Sequence, residues 1–327
     1  MLQLIKNNNP FTVIILLILT LLLKLGVMMH PQLPVPVEGH YSYNTVLRLL
    51  NTVLSGRAFA YSLLGVAMIF MQAMYINRIA ARHKLFNRPT YIPAFTYLLL
   101  SSVYPAWNYF NETMLVIWCL LAGMDVLLSF SQTQQPRKLV FNAGFLFCMA
   151  AIVQFSAAGF LILFVIGVVM LRPFSLAEWI VGLMGYITPI YFFAGLLYLS
   201  DRLNLMPHWM HVGNSIPPHI KAMFYFVMVL IGLITLAILG FYAMQQQIPK
   251  TSIYIRRNWA AMVFYLIISI VVAIGTDLAV QSAWLIIIPS LSFVISIGLS
   301  LEKNKGFSNF ILYFSLIFVI ICQLAIK

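Results

Sequence analysis

The stretch LVFNAGFLFCMAAIVQFSAAGFLILFVIGVVML, residues 139–171, decides how this chain folds. Its only markedly polar side chains are Asn142, Gln154 and Ser156. One straight helix over it would be ~50 Å long at 1.5 Å per residue, against a hydrocarbon core of ~30 Å. Two short helices meeting at a turn near Gln154 fit that thickness, and QFSAAG at 154–159 supplies the break. The choice also fixes parity. Pro136-Arg137-Lys138 precedes the run and Leu171-Arg172-Pro173 follows it, and a hairpin returns both basic ends to the same side of a membrane.

Working outward, the whole chain reads the same way. Its 327 residues are 62% hydrophobic and 8% charged, with mean hydropathy +0.97. Soluble domains carry charge on about 25% of their residues. The expected fold class is therefore all-α, a polytopic membrane protein in which 1–327 forms a single integral membrane domain with no soluble domain. Apolar runs at 11–29, 58–76, 92–109, 113–130, 139–155, 157–171, 176–199, 219–244, 258–274, 281–301 and 307–326 predict about eleven transmembrane helices. The run from Phe11 is too long for a signal-peptide core and is read as an uncleaved first helix.

The net charge of +12 is mostly an orientation signal and does not point to nucleic acid. With a cytoplasmic N-terminus, one face collects Lys6, Arg78, Arg82, Lys84, Arg88, Arg137, Lys138, Arg172, Lys250, Arg256, Arg257, Lys303 and Lys305. The other face holds Arg48, Arg57, Arg202, Lys221 and Lys327, with Lys24 inside the first span and able to reach the outer headgroups. That asymmetry obeys the positive-inside rule and predicts a bacterial cytoplasmic (inner) membrane protein with its N-terminus inside and its C-terminus outside. The bilayer is the first partner. Juxtamembrane Arg78, Arg82, Lys84 and Arg88 suit anionic lipid.

Local signals add detail. Ser175 and Glu178 have capping-box spacing, Trp107, Tyr109, Trp179, Trp209, Trp259 and Trp284 lie near expected interfaces, and Pro189 and Pro289 should kink their spans. Cys119, Cys148 and Cys322 are far apart in apolar runs and read as packing residues. Asp125, near the inner end of its span, is expected to pair with Arg137 or Lys138 or to snorkel inward. The acids Glu38, Glu112, Asp201 and Asp277 fall on the outer side.

Two outer loops stand out, 30–57 and 200–218. The first begins HPQLPVPVEGH, extended by its three prolines, and continues into a helix expected from Asn44 to Gly56. Val46, Leu47, Leu50, Val53 and Leu54 make its apolar stripe, Asn44 its N-cap and Gly56 its C-cap, as for a helix lying in the membrane interface. His208 and His211 stand three apart, with His219, His30 and His40 on the same face, so a metal site between loops is conceivable.

One spanning helix, a long outer loop with a carboxylate and an interfacial helix, then YLLLSSVYP at 97–105, Asn111-Glu112-Thr113, Pro136-Arg137-Lys138, Asn142-Ala-Gly144 and the Gln154 break resemble the GT-C class of polyprenyl-phosphate-sugar glycosyltransferases. The resemblance covers about the first 200 residues, the N-terminal two-thirds of the chain. It departs from the class where Glu38 stands alone beside Gly39 and His40 in place of a compact acidic motif. It implies inverting transfer of a sugar from a polyprenyl-phosphate lipid on the outer face. Glu38 would be the base, Glu112 a second acid able to hold a divalent metal, and Arg48, Arg57 or Arg202 the phosphate clamp. The competing readings are a non-catalytic membrane subunit or scaffold of an envelope assembly, and a transporter of lipid or small solutes. A phosphatase reporter that works only outside the cytoplasm should be active when fused after Lys327 and silent when placed in the 82–88 loop; the reverse pattern would invert the orientation.

Overall fold

A computed structural model describes residues 5–6, 10–37, 39–132, 136–172, 175–210, 220–276, 281–301 and 305–325. Among them there are helices and no strands. In chain order these are α1 (Phe11–Leu23), α2 (Leu25–Met29), α3 (Tyr41–Leu54), α4 (Ala58–Arg82), α5 (Ile92–Ser101), α6 (Glu112–Leu128), α7 (Pro136–Val153), α8 (Phe160–Leu171), α9 (Leu176–Leu199), α10 (Met206–Trp209), α11 (Ile220–Gln247), α12 (Ile253–Ile274), α13 (Ile288–Ser300) and α14 (Lys305–Ala325).

Seven helices are long and apolar enough to cross a membrane, spanning Ala58–Arg82, Pro136–Val153, Leu176–Leu199, Met223–Lys250, Ile253–Ile274, Gln281–Ser300 and Lys305–Leu324. Three of the other expected runs form shorter apolar helices, Phe11–Leu23, Ile92–Ser101 and Phe155–Leu171. The fourth, expected at 113–130, is α6, which carries Glu112 and Asp125. The short helices are short for local reasons. Pro105 forbids helical backbone at Tyr104, which is extended at φ −117°, ψ 130°, so α5 stops at Ser101. The run 139–171 breaks at Gln154, where φ −141° and ψ 113° separate α7 from a 3-10 turn at Phe155–Gly159 that leads into α8.

At the centre, α5 is buried at all ten positions, and α13 is buried from Ile288 through Leu299. The two meet where Thr96 Oγ1 and Ser296 Oγ lie 2.6 Å apart. Gln72 ties in the neighbours, donating to Met114 O of α6 at 2.8 Å and accepting from the Tyr97 hydroxyl of α5 at 2.7 Å. Each such bond satisfies a polar group where no water is at hand. The α7/α9 pair uses glycine instead. A Cβ on Gly144 would lie 2.5 Å from Gly182 O, and one on Gly185 would lie 2.3 Å from Phe141 O. Such close approach of backbones is how membrane helices gain packing contact without a hydrophobic driving force.

The two ends of the bundle are tied by loop contacts. At one, Ser42 Oγ donates to Ile152 O at 3.0 Å, Tyr109 OH to His30 O at 3.1 Å and Trp107 Nε1 to Gln281 O at 2.9 Å. At the other, Thr90 Oγ1 donates to Ile5 O at 3.3 Å, Trp259 Nε1 to Leu85 O at 3.1 Å and Arg172 Nη1 to Phe130 O at 3.2 Å. The first set joins segments read as outer, the second those read as cytoplasmic.

Several local expectations are corrected. The interfacial helix starts at Tyr41, not Asn44, and buries Tyr43 and Leu47 while Val53 is 77% exposed. Asn44 is no cap; its Oδ1 accepts from Val37 N at 3.1 Å and its Nδ2 donates to Val37 O at 2.8 Å. Glu178 does not close a capping box, because its carboxylate takes both Nε and Nη2 of Arg172 at 3.3 and 3.2 Å. Pro289 sits in the first turn of α13, where no helical hydrogen bond is lost, whereas Pro189 is inside α9. Trp107, Trp209, Trp259 and Trp284 are buried rather than facing headgroups. Lys24 does not snorkel outward; it is 1% exposed and turned into the bundle.

Gly185→Leu should lower the thermal midpoint in detergent by an overpacking cost of about 1–3 kcal/mol. Gly195→Leu in the same helix, where an added Cβ meets nothing within 4 Å, should leave it unchanged.

Candidate functional site

The end of the bundle that carries Glu112 is built from two irregular segments, 30–40, of which residue 38 lies outside the described residues, and 104–112. Three prolines keep the first extended, and Asn44 clamps the peptide of Val37 from both sides. Gly39 follows at φ +82°, and a Cβ there would lie 2.9 Å from His208 O. Only glycine both adopts that backbone and passes so close to the 208 peptide. Glu38, the expected base, lies outside the described residues, as do His211, His219 and Asp277.

The second segment is anchored underneath. The Tyr104 hydroxyl donates to the Gln281 side chain, and Trp107 Nε1 to the Gln281 carbonyl. Asn108 accepts from the buried ammonium of Lys24 and donates to Tyr104 O at 3.2 Å. Asn111 then starts α6, accepting from Met114 N at 3.1 Å through Oδ1 and donating to Tyr109 O at 3.1 Å through Nδ2. That cap places Glu112 in the first helical turn, the end of the helix dipole that favours a carboxylate.

Between the segments is an open cavity of about 450 Å³. Its wall includes Val37, Tyr43, Tyr104, Tyr109, Asn111 and Glu112, and among the described residues no lysine or arginine lines it. Glu112 is 2% exposed. Its Oε2 is hydrogen-bonded by His40 Nδ1, so the side chain preceding α3 grips the first residue of α6. Its Oε1 has no hydrogen-bonding partner among the described residues. The phenol of Tyr43 is pushed above the usual tyrosine range by burial, then by the charge of Glu112 and by Tyr61. It therefore stays a neutral hydroxyl beside the carboxylate throughout the physiological range.

The structure does not bring the expected phosphate clamp to this cavity. Arg48, Arg57 and Arg202 are exposed and none lines the wall. Among the described residues no group of three histidines, cysteines or acids could hold a metal, and His208 is exposed. A divalent metal at Glu112 would need ligands beyond the His40 pair. Residue spacing missed that pair because the two are 72 positions apart. The hint was present in Glu112 beside the cap Asn111 and in the glycine before His40.

Asp125 forms a second polar cluster at the opposite end. Its carboxylate accepts from Arg82 Nη1 at 2.8 Å, His83 Nε2 at 2.8 Å and, more weakly, the Tyr75 hydroxyl at 3.3 Å. The partners come from the end of α4, not from Arg137 or Lys138 as expected. His83 is fully buried and its Nδ1 has no partner among the described residues. Because Asp125 accepts, the imidazole proton sits on Nε2.

Fold and site together define a protein that, among its described residues, is all-helical, with seven helices able to cross a membrane and a carboxylate-bearing cavity between loops at one end. No family model matches the chain, and neither a curated protein nor a solved structure shows significant similarity to it.

Asp125→Ala strips three donors of their acceptor. Hydrogen bonds to a charged group contribute about 1.5–3 kcal/mol, less here because Arg82 is half in solvent. The thermal midpoint should fall accordingly, and the added effect of Arg82→Ala should be smaller in the Asp125→Ala background than in wild type.

Proposed function

We propose that this chain is an inner-membrane protein of GT-C-like architecture, crossing the bilayer about eleven times, that transfers a sugar from a lipid-phosphate carrier at its outer face. The loop contacts at the two ends of the bundle support the eleven crossings, since they join the segments that alternation assigns to each side. The observation that carries the enzymatic reading is Glu112, a buried carboxylate on a cavity wall with one oxygen held by His40 and the other unspent.

In an inverting transfer the acceptor hydroxyl attacks the sugar's anomeric carbon. The bond from that carbon to the carrier phosphate oxygen breaks, and a carboxylate takes the hydroxyl proton. Glu38 is the base by resemblance. The cavity geometry gives Glu112 an equal claim, with His40 donating to one oxygen so that the other faces an entering hydroxyl. The departing lipid phosphate keeps its negative charge outside the cavity, where Arg48, Arg57 and Arg202 are exposed. A non-catalytic scaffold calls for a filled end, whereas Glu112 stands on the wall of a cavity of about 450 Å³.

Purified protein in vesicles should transfer sugar from a polyprenyl-phosphate donor. Glu112→Gln and Glu38→Gln, assayed beside wild type, separate the two bases. Loss of the true base should slow turnover by about 10²–10⁴-fold with an unchanged thermal midpoint. Equal rates in both variants and wild type would falsify the assignment of either acid.

A further inference from the structure

The outer cavity has an unusual balance of hydrogen-bonding groups. Its donors are mostly committed to the protein. The Tyr104 hydroxyl is given to Gln281, that of Tyr109 to His30 O, and the Asn111 amide to Tyr109 O. Gln32, Ser282 and the Tyr43 hydroxyl are the remaining neutral polar groups of the wall among the described residues. Against this stands one strong acceptor, Glu112 Oε1, at the end of a side chain only 3% exposed. The rest of the lining is aromatic and aliphatic, with Tyr43, Tyr104, Tyr109 and Phe110 contributing four rings.

Among the described residues this wall holds a carboxylate and no lysine or arginine, which disfavours phosphate. A neutral hydroxyl gains one hydrogen bond there. An ammonium group gains more, since it pairs with the carboxylate and is attracted by the faces of aromatic rings, an effect of about 0.5–2 kcal/mol that grows as water is excluded. We infer that the cavity between 30–40 and 104–112 is a binding site for a primary ammonium group, carried by an amino sugar or by an aminated phospholipid headgroup, with Glu112 as its counter-ion and Tyr43, Tyr104 and Tyr109 as its walls. His40 is then a positioning residue, holding Oε2 so that Oε1 points to the ligand.

This deepens the transferase reading by naming the substrate chemistry at the same site, and it is tested by binding rather than turnover. The protein is reconstituted in phosphatidylglycerol nanodiscs and titrated at about pH 7, where both amines are mainly cationic, with glucosamine, ethanolamine and glucose, followed by saturation-transfer NMR. Glucosamine and ethanolamine should bind about tenfold more tightly than glucose, equivalent to about 1.4 kcal/mol. Glu112→Gln should abolish that preference while keeping the wild-type thermal midpoint, and Tyr109→Leu should reduce it. Repeating the titration in phosphatidylethanolamine nanodiscs separates the sources: weakened glucosamine binding assigns the site to the lipid headgroup, and unchanged binding assigns it to an amino sugar. Equal affinity for glucosamine and glucose in wild type, or a preference that survives Glu112→Gln, overturns the inference. Sugar transfer without amine preference removes this inference alone, and amine preference without transfer removes the transferase reading alone.

Discussion

Where a helix breaks inside a membrane, the carbonyls it frees must find donors within the protein, and this fold depends on how two such breaks are satisfied. α1 ends at Leu23 and α5 at Ser101, and Gln323 of α14 donates to both Leu23 O at 3.0 Å and Ser102 O at 3.2 Å. One amide from the far end of the chain closes both breaks. Beside it, Lys24 turns inward and donates a hydrogen bond to the Asn108 side-chain oxygen, while the Asn108 amide holds Tyr104 O. The irregular 104–112 segment is thereby fixed to α1, and the cavity wall follows from that attachment.

The rest of the outer end is arranged on this base. Once Trp107 and Tyr104 are fixed to Gln281, Asn111 is free to start α6, and Glu112 arrives buried in its first turn. The 30–40 segment is laid across it by Asn44 and by the passage of Gly39 over the 208 peptide, which brings His40 to the carboxylate. Nothing comparable holds the three outer arginines, which stay in water. The cavity is consequently negative and aromatic, while the positive charge lies outside it. That separation suits a ligand with a cationic or hydroxylic head inside and an anionic phosphate outside.

The other end of α6 has its own constraint. Asp125 is too deep to reach bulk water unaided, and Arg82, His83 and Tyr75 from the end of α4 supply its donors. A similar economy ties Arg172 to Glu178 and to Phe130 O, linking the end of α8 to the start of α9 and to the segment after α6. Asp125 is met from a helix more than forty residues earlier in the chain, and Arg172 from the first turn of the helix that follows it. Charges in low dielectric go to the partner with the best geometry, and helix packing sets that geometry.

Much of the architecture was legible in the residues. The break at Gln154 followed from a length argument, the amphipathic helix after the proline-rich loop from its apolar stripe, and the cysteines' role from their isolation. These readings rest on period, length and the special backbone of proline and glycine, which act locally. Asn44, Glu178, Pro289 and the tryptophans were misread because each has two plausible local roles, and the exact helix boundaries and the packing of adjoining segments choose between them. Sequence alone determined a membrane chain of many apolar helices, its broken hairpin and the acids available for chemistry. Only the tertiary structure decided that Lys24 faces inward, that His40 meets Glu112 and that the arginines stay outside the cavity, because hydrogen bonds in a water-poor interior are awarded by three-dimensional proximity.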